Sequence, residues 1–181
     1  MLNFHQIVLR KFLLTFSILF FVVGSIVYYW TKEFYIAQSR DSLLHNIEII
    51  SFDIHDISHL DIVAKKIKKT LNLRLTIISA DGEVLVESHE DKTQMDNHKY
   101  REEIMQSNQE DHGYKIRHSK TINKDLLYIA KKYTFNGEVI YIRLAKELQN
   151  INEQIFSLGI KTFFVLLVFF GFILSITYKL S

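Results

Sequence analysis

Arg74–Ser88 reads RLTIISADGEVLVES. Two short runs of aliphatic and β-branched residues, RLTIIS and VLVES, flank Ala80-Asp81-Gly82-Glu83. An Asp-Gly pair between two such runs is a strong short-range signal for a β-hairpin. Upstream the period changes from two to between three and four. Leu60, Val63, Ala64, Ile67 and Leu71 form a helical stripe behind Asp61, which reads as an N-cap, with Lys65, Lys66, Lys68 and Lys69 on the wet side. That lysine group reads as a solvated helix face, with an anion site as the alternative. Before it, Phe34, Ala37, Leu43, Ile47, Ile50, Ile54 and Ile57 mark one face of a longer amphipathic helix, interrupted near Arg40.

Downstream of the hairpin, a polar loop from His89 to Asp96 leads to Asn97, a plausible cap for a short helix reaching about Ser107. Gly113 closes the next loop, and three strand-like runs follow: Tyr114 to Ser119, Leu126 to Tyr133 and Glu138 to Ala145. Asn136-Gly137 joins the last two as a tight hairpin. Five strands after a long helix, with a helical excursion between them, predict an α+β domain with an antiparallel sheet. Leu144, Leu148, Ile151, Ile155 and Leu158 then recur at four, three, four and three, a coiled-coil-like seam. The seam suggests a homodimer packing four helices above a bilayer, or packing of two helices within one chain.

At both ends lie apolar runs. Phe12 to Trp30 follows Arg10 and Lys11, and Thr162 to Tyr178, TFFVLLVFFGFILSITY, carries no charge and is bracketed by Lys161 and Lys179. Seventeen helical residues cover about 26 Å, slightly short of a ~30 Å hydrocarbon core, so neighbouring turns must help. Basic residues at the edge of the first run put the N-terminus in the cytoplasm, and Tyr28, Tyr29 and Trp30 suit the opposite headgroup layer. A cleaved signal peptide is the competing reading. It is disfavoured by the length of the run and by the lack of a small-x-small site after it. We therefore expect a cytoplasmic N-terminus over 1–11, a first span over 12–30, an extracytoplasmic domain over 31–161, a second span over 162–178 and a cytoplasmic stub over 179–181 in a bacterial inner membrane.

Between Lys32 and Lys161 stand 19 of the 22 basic residues and all 20 acidic ones, so the middle is close to neutral and has no nucleic-acid footprint. Absence of cysteine excludes disulfides and thiolate chemistry. The six glycines are scattered with no G-x-G, which excludes a phosphate-cradling loop of that kind. His55 and His59, four apart near Asp53 and Asp56, have a spacing that suits one metal. Without the Glu of a zinc-protease motif they read as an exposed helix face, and neither metal nor cofactor is expected. Seven of the eight histidines fall in the middle, which leaves a pH-responsive role open. His89-Glu90-Asp91-Lys92-Thr93 echoes a kinase phosphoacceptor box but has no following Pro, and it reads as a solvated loop.

RLTIISADGEVLVESHEDKTQMDNHKYREEI, Arg74 to Ile104, resembles the extracytoplasmic sensor domain of PhoR-like and WalK-like histidine kinases. That family has a hairpin with an acidic-Gly turn, then an Asn-His pair and an Arg, matched here by Asn97, His98 and Arg101. Glu102 stands where the family usually has Pro. HGYKIRHSKTINKDLLYIAKKY and GEVIYIRLAKEL look like its last three strands, and the likeness runs from about Phe34 to Tyr178. The resemblance implies a PAS-like or single Cache-type domain with a long N-terminal helix, flanked by two transmembrane helices. It also implies that a small-molecule or ionic envelope ligand is held by His98, Arg101, Arg117, Tyr128 and Lys131. Arg101 and Arg117 would offer forked donors to a carboxylate or phosphate. The alternative is that these residues are surface groups or internal loop-to-sheet pairs. No phosphoacceptor helices or ATP-binding domain occur in these 181 residues, so catalysis would belong to a full-length protein-histidine kinase, and a response regulator would be reached only through that missing core. A two-span protein-interaction module is the alternative from another class, and the input of a chemoreceptor or cyclase would work by the same mechanics.

Overall fold

The computed structural model describes residues 4–54, 60–119 and 123–180. Residues 36–149 form one compact unit, and residues 1–35 with 150–181 form a second. Helix α1 spans Phe4–Asp53, so the first apolar run and the amphipathic stripe that follows belong to one 50-residue helix. Then come α2 (Leu60–Leu71), β1 (Arg74–Ser79), β2 (Val84–Glu87), a 3₁₀ turn (Lys92–Gln94), α3 (Glu102–Gln106), β3 (Gly113–Ser119), β4 (Lys124–Phe135), β5 (Glu138–Glu147) and α4 (Gln149–Leu180). His55, Asp56, Ile57 and His59 lie outside the described residues.

The fold class follows the sequence expectation: an α+β unit built on one five-stranded antiparallel sheet in the order β2-β1-β5-β4-β3. Local chemistry sets its turns. Asn136 and Gly137 both take positive φ, 50° and 83°, as a two-residue hairpin turn demands. Asn72, at φ 52°, follows α2 in the left-handed region and donates its N–H to the Lys68 carbonyl at 3.1 Å, which stops the helix. Gly82 has φ 88° in the first hairpin, where Ser79 N–H donates to the Glu83 carbonyl at 2.9 Å.

One sheet face forms the main core. Leu75, Ile77, Val86, Leu127, Ile129, Ile140, Ile142 and Leu144 pack against Leu43, Ile47, Ile50 and Ile54 of the first stripe and Leu60, Ala64 and Ile67 of the second. Each fully buried aliphatic side chain here is worth roughly 1.5–3 kcal/mol. The four lysines of α2 are exposed, as a solvated helix face requires. The gap at Arg40 also has a cause, since its guanidinium lies over the Tyr114 ring at 5.0 Å.

Three expectations need correction. Leu144 is not the start of a helical seam but a buried β5 residue, because the β4–β5 ladder continues to Leu126↔Glu147. Asp61 lies in the first turn of α2 and not ahead of it. Asn97 does not cap α3, whose N-cap position is Arg101 with no side-chain cap bond. Instead Asn97 donates Nδ2–H to the Asp81 carbonyl at 2.8 Å and accepts from Lys99 N–H at 2.9 Å, which pins the loop to the hairpin turn.

In the second unit, Phe12 and Phe16 of α1 stack on Phe170 of α4, and Phe20 meets Phe163 edge-on at 5.9 Å. Rising numbers on one helix meet falling numbers on the other, so these segments run antiparallel. Among the described residues one helix, Arg10–Phe52, is long and apolar enough by length and composition to cross a membrane. The apolar stretch of α4 is shorter, Phe156–Phe172.

Candidate functional site

The sheet face opposite α1 and α2 carries charge. Directly opposed residues of an antiparallel pair share a face, and the register lines up Glu87, Thr76, Arg143, Ala130 and Gly113 in one row across all five strands. The two small residues at one end of that row admit α3. A Cβ at position 113 would run into the Glu103 carbonyl, so only glycine lets the helix lie this close. Tyr114 N–H donates to Gln106 Oε1 at 2.9 Å, Tyr141 donates its hydroxyl to Asn108 Oδ1 at 2.8 Å, and Lys115 pairs with Glu102. Ile104 fills the space beside Ile78, Ala130 and Tyr141.

So placed, α3 drives the Glu103 carboxylate into the row. Arg117 donates to it with both arms of its fork, Nη1 to Oε2 at 3.1 Å and Nη2 to Oε1 at 3.0 Å. Arg143 Nη1 reaches the same Oε1 at 3.3 Å, and its Nη2 donates to Thr76 Oγ1 at 3.0 Å. The Thr76 hydroxyl in turn donates a hydrogen bond to Glu87 Oε2 at 2.8 Å, and Arg74 Nε donates to Glu87 Oε1 at 3.0 Å. Tyr128 lies beneath both central arginines, with Arg117 Cζ at 4.1 Å and Arg143 Cζ at 5.2 Å from its ring centre. Three guanidiniums therefore share two carboxylates, and both carboxylate side chains are fully shielded from solvent.

His98 stands within electrostatic reach of these arginines. It is buried, at 6% exposure, and its backbone N–H donates to the Gly82 carbonyl at 2.8 Å. Burial, then the charges of Arg143, Arg101, Arg117 and Arg74, lower its pKa from the ordinary 6.5 to about 3, so the ring is neutral. Arg143, at 2% exposure, has its pKa lowered by burial against the opposing pull of Glu103. Among the described residues, His98 Nδ1 and Arg143 Nε find no hydrogen-bond partner.

Of the five residues singled out from the sequence, Arg117 and Tyr128 meet in this cluster, and His98 lies within reach of its charges. Arg101 begins α3 and acts on His98 through its charge. Lys131 goes elsewhere. It lies on the helix-covered side, bridging Glu48 at 3.3 Å and Asp111 at 3.1 Å, and lines a cleft of about 440 Å³ with Tyr133 and Phe52. Arg117 makes an internal loop-to-sheet pair, the alternative that the sequence had left open. Arg143, Glu103, Thr76, Glu87 and Arg74 were missed. Their signal was an arginine inside an otherwise apolar strand, at Arg143 in VIYIRLA and at Arg74 in RLTII, where only a buried partner makes the charge tolerable. No group of His, Asp or Glu suited to a metal occurs among the described residues. No protein-family model matches the chain, and none of the curated proteins is significantly similar to it.

Proposed function

We propose that this chain is a membrane-anchored sensory module of a bacterial inner membrane. Its two apolar segments would both span the bilayer, and residues 36–149 would stand outside as a PAS-like or single Cache-type domain feeding a two-component histidine kinase. The observation that carries this reading is the sheet with two unlike faces. One is sealed by helices, and the other holds a net-positive, buried cluster under a loop-helix small enough to move. PAS-like sensors keep their ligands between sheet and loop-helix, and two of the residues that the family resemblance points to are gathered there, with His98 within reach of their charges. The antiparallel ring contacts between α1 and α4 support a membrane hairpin. A small envelope ligand would act by favouring one of two helix arrangements, and only through a difference in its affinity for them.

A partner-protein reading has its own support in exposed Ile49, Phe52, Ile62 and Leu71 around a groove between α1 and α2. A homodimer through the membrane-proximal helices belongs to the same proposal. Alkaline phosphatase and green fluorescent protein, each inserted at Asn136-Gly137 and fused after Ser181, test the topology. We expect phosphatase activity only at the hairpin and fluorescence only at the C-terminus. A fluorescent hairpin fusion would sink the receptor interpretation.

A further inference from the structure

The sheet face that the sensory reading uses also tells what kind of ligand it would take, and this inference rests on that reading. Glu103 is held as a ligand would be. Its carboxylate meets a planar fork at Arg117 and a second guanidinium at Arg143, both on the sheet and both lying over the Tyr128 ring. Its own carrier is short: α3 has five residues, with Glu103 and Ile104 buried. The cluster keeps more donor capacity than Glu103 uses. Arg143 Nε and His98 Nδ1 are both more than nine-tenths buried and lack partners among the described residues, and the ionic chain carries three guanidiniums against two carboxylates.

We propose that Arg117 and Arg143 form a seat for a small free aliphatic carboxylate, and that Glu103 is its tethered occupant, which the ligand exchanges for. Exchange leaves the charge of the seat unchanged, because one carboxylate replaces another. It loosens α3, since the ion pair at Glu103 is the bond given up, while the Tyr114–Gln106, Tyr141–Asn108 and Lys115–Glu102 contacts still tie the helix to the sheet. A planar acid fits because Arg117 meets Glu103 with two parallel donors. Gly113 permits the close approach of α3 but holds nothing itself, so loosening meets no covalent or steric barrier there.

The test uses the full chain in lipid nanodiscs with acetate and propionate as probes, and chloride and phosphate at matched ionic strength as controls. In Glu103→Ala, acetate between 1 and about 100 mM should raise the melting temperature saturably by several degrees, as a ligand bound only to the folded state must. Chloride and phosphate should not. Adding Arg143→Met to Glu103→Ala should abolish the acetate response. In the wild-type chain, saturating acetate should speed hydrogen exchange of the amides from 102 to 107 at least tenfold while β4 and β5 stay protected. Should Glu103→Ala fail to fold, this wild-type exchange decides alone. Acetate no better than chloride, phosphate better than acetate, or unchanged exchange over α3 would each overturn the proposal. The outcome is separable from the topology experiment. Acetate rescue with a cytosolic hairpin would keep the seat and discard the receptor, and the reverse pair of results would do the opposite.

Discussion

Replacing Arg143, among the largest side chains shut away from solvent, by methionine should cost only about 1–2 kcal/mol, because the terms partly cancel. Lost are a hydrogen bond to Thr76 at 3.0 Å and a long one to Glu103 at 3.3 Å, where bonds to charged groups are worth about 1.5–3 kcal/mol. Recovered is the cost of burying a guanidinium whose Nε has no partner among the described residues, about 1–3 kcal/mol. A sulfur over the Tyr128 ring adds roughly 0.3–1.5 kcal/mol. Glu103 keeps both bonds from Arg117, Thr76 keeps its bond to Glu87, and the cluster becomes neutral. Glu103→Ala is the contrast: it strips the carboxylate from the buried Arg143 and the partly buried Arg117 and should cost about 3 kcal/mol. Hydrogen exchange of the β4 and β5 amides through a urea series, with the full chain in detergent micelles, reads both values as opening free energies. A cost above about 3 kcal/mol for Arg143→Met, or below about 1 kcal/mol for Glu103→Ala, would refute the assignment of Glu103 as the group that neutralises this face.

The same exchange measurement should show Ile47→Ala, deep in the helix-covered core, costing about 2–5 kcal/mol with α3 protection following only the global loss. Two glycine substitutions should separate strain from collision. Gly137→Ala meets only the strain of its 83° φ and should cost about 1 kcal/mol, whereas Gly82→Ala adds a clash with Asn97 and Lys99 and should cost clearly more. Acidification supplies a test of His98. Between 6.5 and about 3 the unfolded chain binds a proton that the folded one refuses, so stability should fall as pH drops from 6.5 to 5, and less steeply in His98→Gln. His89, lowered by burial and by Lys68 and Arg74, acts with the same sign. His118, raised by its bonds to Asp125 and Asn123, acts oppositely: its contribution is present below 6.5 and is lost as pH rises through its raised pKa.

Strand-like runs and turn chemistry made the sheet legible. RLTIIS, LLYIAKKY and EVIYIRLA are short apolar runs rich in β-branched and aromatic residues, and Asn136-Gly137 has no comfortable use other than a tight turn. The stripe from Leu43 to Ile54 announced which helix face would be buried. Half of the site was legible too, and strict alternation along a strand would have removed one residue. Tyr128 and Lys131 are three apart, an odd spacing that puts them on opposite faces of β4, and Lys131 does turn to Glu48 of α1. Arg143 and Glu103 escaped because their meaning is a pair 40 residues apart, visible only once register and the packing of α3 bring them together. Asn97 misled because an Asx side chain serves a turn as readily as a helix start, and here the hairpin carbonyl of Asp81 is the nearer partner.

The strand order sets how this unit answers force. β1 and β5 are neighbours at the middle of the sheet and antiparallel, so the chain arrives at Arg74 and departs beyond Ala145 from the same end of one ladder. Sliding one arm along the other loads all the rungs from Arg74↔Ala145 to Ser79↔Ile140 at once. Drawing the arms apart peels those rungs singly. The sheet is therefore a stiff coupling for axial displacement and a weak one for splaying.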